Sequence, residues 1–230
     1  FKNRNRFVGI KSNGVATLKV GQYDSYFKTA AGNNQDIFND HNELDMTKVL
    51  VGEDRLTNVI GFETDKKLLG GLAFNIMFQQ GEESEGANSK AKGYEGSRDG
   101  FGDGVSASLT YENKDMGLAA AVAANRAIAS KFNAYSDLTG IYTDAVRVTG
   151  SLDLGAMGAS GLVLGALWQT AQPTDDTVAV VSGSGTTAVT TSYKGLQEDA
   201  YGVTAAYAIP STPVKLKAQY ISATTEVDGM

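Results

Sequence analysis

The sequence predicts an all-β fold, a transmembrane antiparallel up-and-down β-barrel, from three observations. Ten stretches alternate apolar and polar residues, and each is near the roughly 9–11 residues that a tilted strand needs to cross a bilayer. The connections between them are brief and long in turn, as in a membrane barrel with tight turns at one end and long loops at the other. Aromatic residues near the strand ends fall into two bands, which is typical of rings at membrane interfaces.

The composition is compatible with this fold class, and it argues against disulfide-stabilised, cysteine-zinc and nucleic-acid-binding proteins. The chain has 230 residues with 27 Gly, 3 Pro and no Cys, which excludes a disulfide framework and Cys-based zinc sites. The mean hydropathy of -0.19 does not argue against a barrel, because barrel strands are apolar on one face only. The net charge of -6 argues against nucleic acid as a partner. We expect no cofactor and no metal ion.

The ten predicted strands share a period-two alternation with one apolar face. In chain order they are Arg4–Ser12, Val15–Tyr23, Arg55–Thr64, Leu72–Gln80, Gly104–Glu112, Gly117–Arg126, Asp144–Leu154, Gly161–Ala171, Asp199–Ile209 and Val214–Thr224. The brief connections are Asn13-Gly14, Asp65–Gly71, Asn113–Met116, Gly155–Ser160 and Pro210–Pro213. The long connections are Asp24–Asp54, Gly81–Asp103, Ala127–Thr143 and Gln172–Glu198. We expect the apolar face to point to lipid, as in a barrel, rather than into the core of a soluble sandwich.

Three segments depart from the simple pattern of alternating strands and brief or long connections. The stretch from Gly117 is Ala-rich with good helix propensity, but its alternation favours a strand. Asn58 falls on an apolar face, which either a bulge or a subunit contact would explain. Val178–Val181 and Thr186–Thr190 predict a hairpin above the barrel.

The two aromatic bands lie at opposite ends of the strands. They contain Phe62, Tyr111 and Tyr207 near the turn ends, and Tyr23, Phe78, Trp168 and Tyr201 near the loop ends.

Residues that could carry catalysis are scarce, and we expect no enzyme. The single histidine, His41, lies in a loop beside Asp40, and no nucleophile elbow, phosphate loop or zinc-protease motif is present. The carboxylate pair Glu198-Asp199 is interpreted as solvated loop charge.

Charged residues on the polar strand faces are more informative. They are Arg4, Arg6, Lys19, Arg55, Arg147, Asp153, Lys215 and Lys217. In a dry sandwich core such charges would be very costly, and on the outside of a soluble sheet they would be unremarkable. Lining a wet lumen, they would set the electrostatics of a pore.

The longest connection, Asp24–Asp54, has features of a functional loop. It is rich in acid, and Asp40 with Glu43 fits a capping box that predicts a helix over Asn42–Leu50. Leu44 and Val49-Leu50 could dock that helix on a wall. A loop of this length in a compact structure usually has a function, although a solvated exterior loop is the alternative.

Ordered sequence pieces resemble the general porins of Gram-negative outer membranes. Arg4–Ile10 resembles the family's Arg-containing strand that ends in Phe-X-Gly-Leu, and Gly14–Asp24 resembles the following strand, which opens the third external loop. Arg55–Val59 resembles the Arg-X-X-Asn-Ser strand after that loop. Gln22 stands where Arg is common in the family, so one basic lumen group is missing. The resemblance in sequence extends to about residue 125, and beyond that only the pattern continues.

The resemblance implies a sixteen-stranded barrel, usually trimeric, with residues 24–54 folded inside as a constriction. Residues 1–230 would form one β-barrel domain that is cut at both ends, so the ten strands would be the middle of the barrel. Arg4, Arg6 and Arg55 would form the basic side of the constriction, and Asp40, Glu43 and Asp45 the acidic side. Lys19, Arg147, Asp153, Lys215 and Lys217 would line the lumen.

The leading hypothesis is passive diffusion of small hydrophilic solutes and ions through a homotrimeric outer-membrane pore in contact with lipid and lipopolysaccharide. Opposed charges at the constriction would favour polar solutes, and the acid excess suggests mild cation preference. One alternative is a substrate-selective porin that binds solute on aromatics such as Tyr26 and Phe27. The other is a secreted all-β adhesin or binding domain without a pore.

Overall fold

The part of the chain that the structure describes forms one antiparallel, up-and-down sheet of ten strands with a separate two-stranded hairpin. In this computed structural model, residues 4–31, 37–38, 44–81, 98–134, 138–182 and 185–228 are described. The sheet order is β1-β2-β3-β4-β5-β6-β7-β8-β11-β12, and β9 pairs with β10. Its strands are β1 (Arg6–Ser12), β2 (Ala16–Asp24), β3 (Arg55–Thr64), β4 (Leu72–Gln80), β5 (Phe101–Asn113), β6 (Leu118–Lys131), β7 (Thr139–Asp153), β8 (Leu162–Pro173), β11 (Gln197–Ala208) and β12 (Lys215–Glu226). The hairpin consists of β9 (Thr177–Ser182) and β10 (Val189–Lys194).

The two faces of the sheet have the opposite polarity to a soluble protein. Along β7, Val146 and Val148 are 41% and 43% exposed, whereas Arg147 and Thr149 are 0% and 5% exposed. The same alternation continues in β11, where Tyr201 and Val203 are exposed. We call the exposed apolar face the outer face and the buried polar face the inner face. An apolar face left uncovered is stable in lipid, and the predicted fold class is confirmed.

The rhythm of brief and long connections is present except between β6 and β7, where residues 132–138 are no longer than the brief connections at 65–71 and 154–161. Several strand ends also differ from the prediction. β3 and β4 have the predicted bounds, while β5, β6 and β7 are longer because ladder pairing continues past the last clear alternation. The connection between β6 and β7 is consequently shorter than predicted. The predicted hairpin is present as β9 and β10.

A β-bulge explains the polar residue on the apolar face of β3. The register between β2 and β3 shifts between Gly21 and Tyr23, and Asn58 has a φ of 55°. The bulge brings Leu56 opposite Tyr23. Tyr23 is 3% exposed, so it faces the interior and is not part of the outer aromatic band. Trp168 at 48% and Tyr201 at 52% are exposed on the outer face as predicted.

The connection between β2 and β3 has helical turns at different places than predicted. An α-helix, α1 (Tyr26–Ala31), begins after Ser25, whose hydroxyl accepts a hydrogen bond from the Lys28 amide at 3.1 Å and caps the helix. Of the helix predicted over Asn42–Leu50, the described part has only a 3-10 turn, Met46–Lys48. No helix within the described ranges is long and apolar enough to cross a membrane.

Candidate functional site

The loop between β2 and β3 lies against the inner face of the sheet. The Phe27 amide donates to the Ser106 hydroxyl of β5 at 3.1 Å, and the Thr149 hydroxyl of β7 donates to the Ala30 carbonyl at 3.0 Å. Phe27 is fully buried. We call the strands whose inner face the loop contacts the wall. α1 is therefore held at both of its ends by polar groups of the wall.

Arg147 of β7 is the centre of the contact between loop and wall. Its guanidinium is 2.5 Å from the Glu53 carboxylate, donates to the Gln169 side-chain oxygen at 2.9 Å and donates to the Phe27 carbonyl at 3.4 Å. It also lies over the Phe27 ring, 4.3 Å from the ring centroid. Arg147 is 0% exposed, and the Glu53 side chain is 5% exposed. A buried guanidinium needs this full set of partners, because an unpaired buried charge is very costly.

Two further wall residues bind the backbone of Val51. The Val51 amide donates to the Glu198 carboxylate of β11 at 2.9 Å, and the Val51 carbonyl accepts from the Gln169 side chain at 3.2 Å. Gln169 and Glu198 are also 3.3 Å apart, and both are buried. Val51 is fixed in both directions, so the loop backbone cannot slide along β8 and β11 without breaking these bonds.

The other described parts of the loop extend to the far edge of the sheet. Lys217 of β12 donates to the Ile37 carbonyl at 2.8 Å, and Gln219 donates to the Leu44 carbonyl at 3.0 Å. Both side chains lie on the inner face, because they pair in register with Ala206 and with Thr204. The described loop residues thus span the inner face from β5 to β12.

The segment that leads back to β3 is enclosed as well. The Asn133 side chain donates to the Leu50 carbonyl at 3.2 Å, and the Ser130 hydroxyl donates to the Asp54 carboxylate. Burial raises the pKa of Asp54 from the ordinary 3.8 to about 6, and the neighbouring Glu53 carboxylate acts in the same direction. Lys28 opposes the shift.

A polar cluster surrounds the point where the loop leaves the strands. Arg55 is 3.1 Å from the Asp24 carboxylate and donates to the Asn5 side chain at 2.6 Å. Lys28 is 3.3 Å from the same carboxylate. Asp24 is therefore bridged to both ends of its own loop, and the Arg55 charge is partly compensated.

Lys19 is held on the inner face by a carboxylate and three rings. It forms an ion pair with Glu63, and its ammonium lies 4.7 Å from the Tyr23 centroid, 5.3 Å from Phe7 and 5.7 Å from Tyr26. The rings and the carboxylate together stabilise the cation, which leaves the Lys19 side chain 16% exposed.

The remaining predicted constriction residues have different surroundings. Arg4 precedes β1 and is exposed. Arg6 pairs in register with Gln22 and shares the outer face with Val8, so its predicted place on the polar face is wrong. The Asp45 carboxylate accepts from the Thr47 amide at 2.8 Å and caps the 3-10 turn. Asp40 and Glu43, together with their predicted capping box, lie outside the described residues.

The predicted lumen residues divide between wall contacts and open surface. Lys215 is exposed near a brief turn, and Asp153 accepts from the Gly155 amide at 2.9 Å and caps such a turn. Lys217 is exposed but bonded to the loop. Arg147 does not line water, because the loop covers it completely.

Three further sequence interpretations need correction. Tyr26 and Phe27 are 3% and 0% exposed, so they are packed between loop and wall and are not available as solute contacts. Glu198 is 1% exposed, so it is not a solvated loop charge. Leu44, expected to dock on the wall, is 53% exposed, whereas Leu50 is 2% exposed.

Sequence reasoning missed the polar residues that surround Arg147 in the contact between loop and wall. Gln169 and Glu198 share the parity of buried positions on β8 and β11, which is a signal that the alternation already contained. Glu53 had no such signal, because it lies in a loop and its pairing depends on the fold. In the described part of the chain, no group of three or more metal-ligating side chains could hold a metal ion.

A family model and the solved structure of one outer-membrane protein agree with the fold. A family model described as Gram-negative porin matches residues 1–229. The solved structure of OccK8 (OprE) from Pseudomonas aeruginosa superimposes with a TM-score of 0.51 at 14% identity, covering 95% of this chain and 53% of that one. OccK3 (OpdO) of the same organism has a TM-score of 0.39 at 13% identity, with 97% and 65% coverage. The chain thus spans about half the length of OccK8. No curated protein matches the sequence.

Proposed function

The chain belongs to the Gram-negative porin family and is a β-barrel protein of the outer membrane, and from this we propose that it forms a general diffusion pore for small hydrophilic solutes and ions. The observation that carries the proposal is the loop between β2 and β3, whose described residues bond to the inner face from β5 to β12. A segment that crosses the inside of a barrel narrows its water-filled path. Residues 24–54 are therefore the proposed constriction, and no catalytic group is part of the proposal.

Paired charges support a pore of low ion selectivity. Lys19 pairs with Glu63 and Arg147 with Glu53, so these two cations contribute little net field to the path of a solute. Arg55 is partly compensated by Asp24. With Lys19, Arg147 and Arg55 wholly or partly compensated and a net charge of -6, we propose a mild preference for cations.

The proposal includes the assembly that the resemblance implies. The pore would be a homotrimer in the outer membrane, with its apolar outer face in contact with lipid and lipopolysaccharide. Cross-linking in isolated outer membranes would give a trimer band, and a monomer at every cross-linker concentration would refute this part alone.

Conductance in a planar bilayer, with the full-length protein, tests the proposed function. The unaltered protein should conduct in discrete steps, and deletion of Gln35–Lys48 should raise the single-channel conductance because the path becomes wider. A second variant with Gly and Ser residues replacing the same segment keeps the chain length and separates loss of side chains from loss of chain. No conductance by the unaltered protein would refute the pore, and equal conductance in all three proteins would place the loop outside it.

A further inference from the structure

The hairpin of β9 and β10 is amphipathic although it lies outside the ten-stranded sheet. Tyr193 pairs in register with Val178, and Ser192 pairs with Ala179. Val178 and Tyr193 are 0% and 7% exposed, whereas Ala179 and Ser192 on the opposite face are exposed. The hairpin therefore packs one face against the protein and leaves the other to solvent.

The buried face of the hairpin belongs to the same apolar cluster as the proposed constriction. That cluster contains Val178, Val180 and Tyr193 of the hairpin, Phe132 and Leu138 of the connection between β6 and β7, and Phe27, Ala30 and Val51 of the loop. Hairpin, connection and loop are thus parts of one packed unit. Close-packed side chains move together, because a void between them forfeits contacts on both sides.

A hydrogen bond joins the middle part of this unit to the loop. The Asn133 side chain, next to Phe132 in the chain, donates to the Leu50 carbonyl at 3.2 Å. Leu50 precedes Val51, whose amide and carbonyl are bound by Glu198 and Gln169. The wall holds this loop segment from one side, and the apolar cluster of the hairpin and the connection packs against it as well.

We propose that the β9–β10 hairpin is a clamp that keeps the constriction loop in its docked position, so that it controls the steadiness of the pore. This inference rests on the proposed function, since it assumes that the loop narrows the path. The hairpin acts through burial of Val178, Val180 and Tyr193, and it needs no contact with the solute. If the clamp lifts, the apolar cluster that contains Phe27, Ala30 and Val51 loses its three hairpin members, while the hydrogen bonds of the loop to the wall remain.

A charge placed on each face of the hairpin tests the clamp. Val178→Asp puts a carboxylate in the apolar cluster, while the matched control Ala179→Asp puts the same charge on the exposed face of the same strand. Because a buried unpaired carboxylate is tolerated only when the hairpin lifts or the acid is neutralised, the time that Val178→Asp channels spend in non-native conductance levels should rise by on the order of tenfold. Ala179→Asp channels should behave like the unaltered protein. Equal current records for the two variants would overturn the clamp.

A milder variant covers the case in which Val178→Asp does not assemble. Val180→Ala removes apolar contact without adding charge, and amide hydrogen exchange of the folded protein reports on residues 50–53. If the amides of residues 50–53 exchange faster in Val180→Ala than in Ala179→Asp, while the amides of β3 and β4 exchange at the same rate in both variants, the clamp is supported. Unchanged exchange at residues 50–53 overturns it. If the unaltered protein does not conduct, the proposed function fails first, whereas a conducting protein that is indifferent to Val178→Asp refutes the clamp alone.

Discussion

The buried ion pair between Arg147 and Glu53 is a point where one substitution acts on the docked loop. Arg147→Met keeps most of the side-chain volume, but it removes the partner of the Glu53 carboxylate and the donor to the Gln169 side-chain oxygen. Both groups are then left in a site that excludes water. We expect the docked loop to open part of the time, and the pore to show larger and noisier currents.

The size of the effect follows from the burial of both partners. Breaking a buried ion pair by removing one partner costs about 3–5 kcal/mol. At about 1.4 kcal/mol per factor of ten, the docking equilibrium would shift by roughly two to four orders of magnitude. A loop that is docked nearly all the time in the unaltered protein would then be open for a measurable fraction of it.

Single-channel recording at constant salt and voltage measures that fraction directly. Lys215→Met is the matched control, because it removes the same charge from an exposed position near a brief turn. The double variant Arg147→Met with Glu53→Gln should recover a steadier current, since Gln at position 53 removes the carboxylate that Arg147→Met leaves without its cation. If Arg147→Met records match those of Lys215→Met, or if Glu53→Gln gives no recovery, the Arg147 contact does not hold the loop.

Three further substitutions have defined outcomes. Burial raises the pKa of Asp54 to about 6, so the docked loop favours the protonated form of this carboxyl group. The docked loop is therefore most stable below about pH 4, the ordinary pKa of Asp, and its stability decreases as the pH rises to 6. Current noise should therefore increase across this range, and Asp54→Asn should abolish that dependence; an unchanged profile in the variant would exclude Asp54 as its source. Arg55→Ala leaves Asp24 without its partner at 3.1 Å and should raise cation selectivity, measured as a reversal potential in a salt gradient, and an unchanged potential would contradict this. A Cβ at Gly61 would overlap the hydroxyls of Tyr23 and Tyr26, so Gly61→Ala should lower stability to thermal unfolding by about 1–3 kcal/mol. Gly150→Ala is its control, because the Ala119 carbonyl is 4.0 Å away, and equal melting of the two variants would contradict the packing at Gly61.

The strands could be predicted from sequence because their signal is local. Alternation along Leu72–Gln80 and Arg55–Thr64 gave the observed bounds, since each side chain faces lipid or interior by its position in the pleat. α1 was missed because its cap, Ser25, was not recognised. The bulge at Asn58 could be suspected but not distinguished from a subunit contact, because it depends on pairing with β2.

The charged residues show where sequence reasoning ended. The two-residue alternation along β7 placed Arg147 on the polar face correctly. In a barrel, however, the polar face can be exposed to water or covered by a loop that folds inside. Which of the two applies depends on contacts between residues far apart in the chain, such as Glu53 with Arg147 and Val51 with Glu198. The local pattern determines which way each strand residue faces, because the pleat has a period of two. Only the tertiary structure decides which inner charges are exposed, because burial depends on the loop that packs over them.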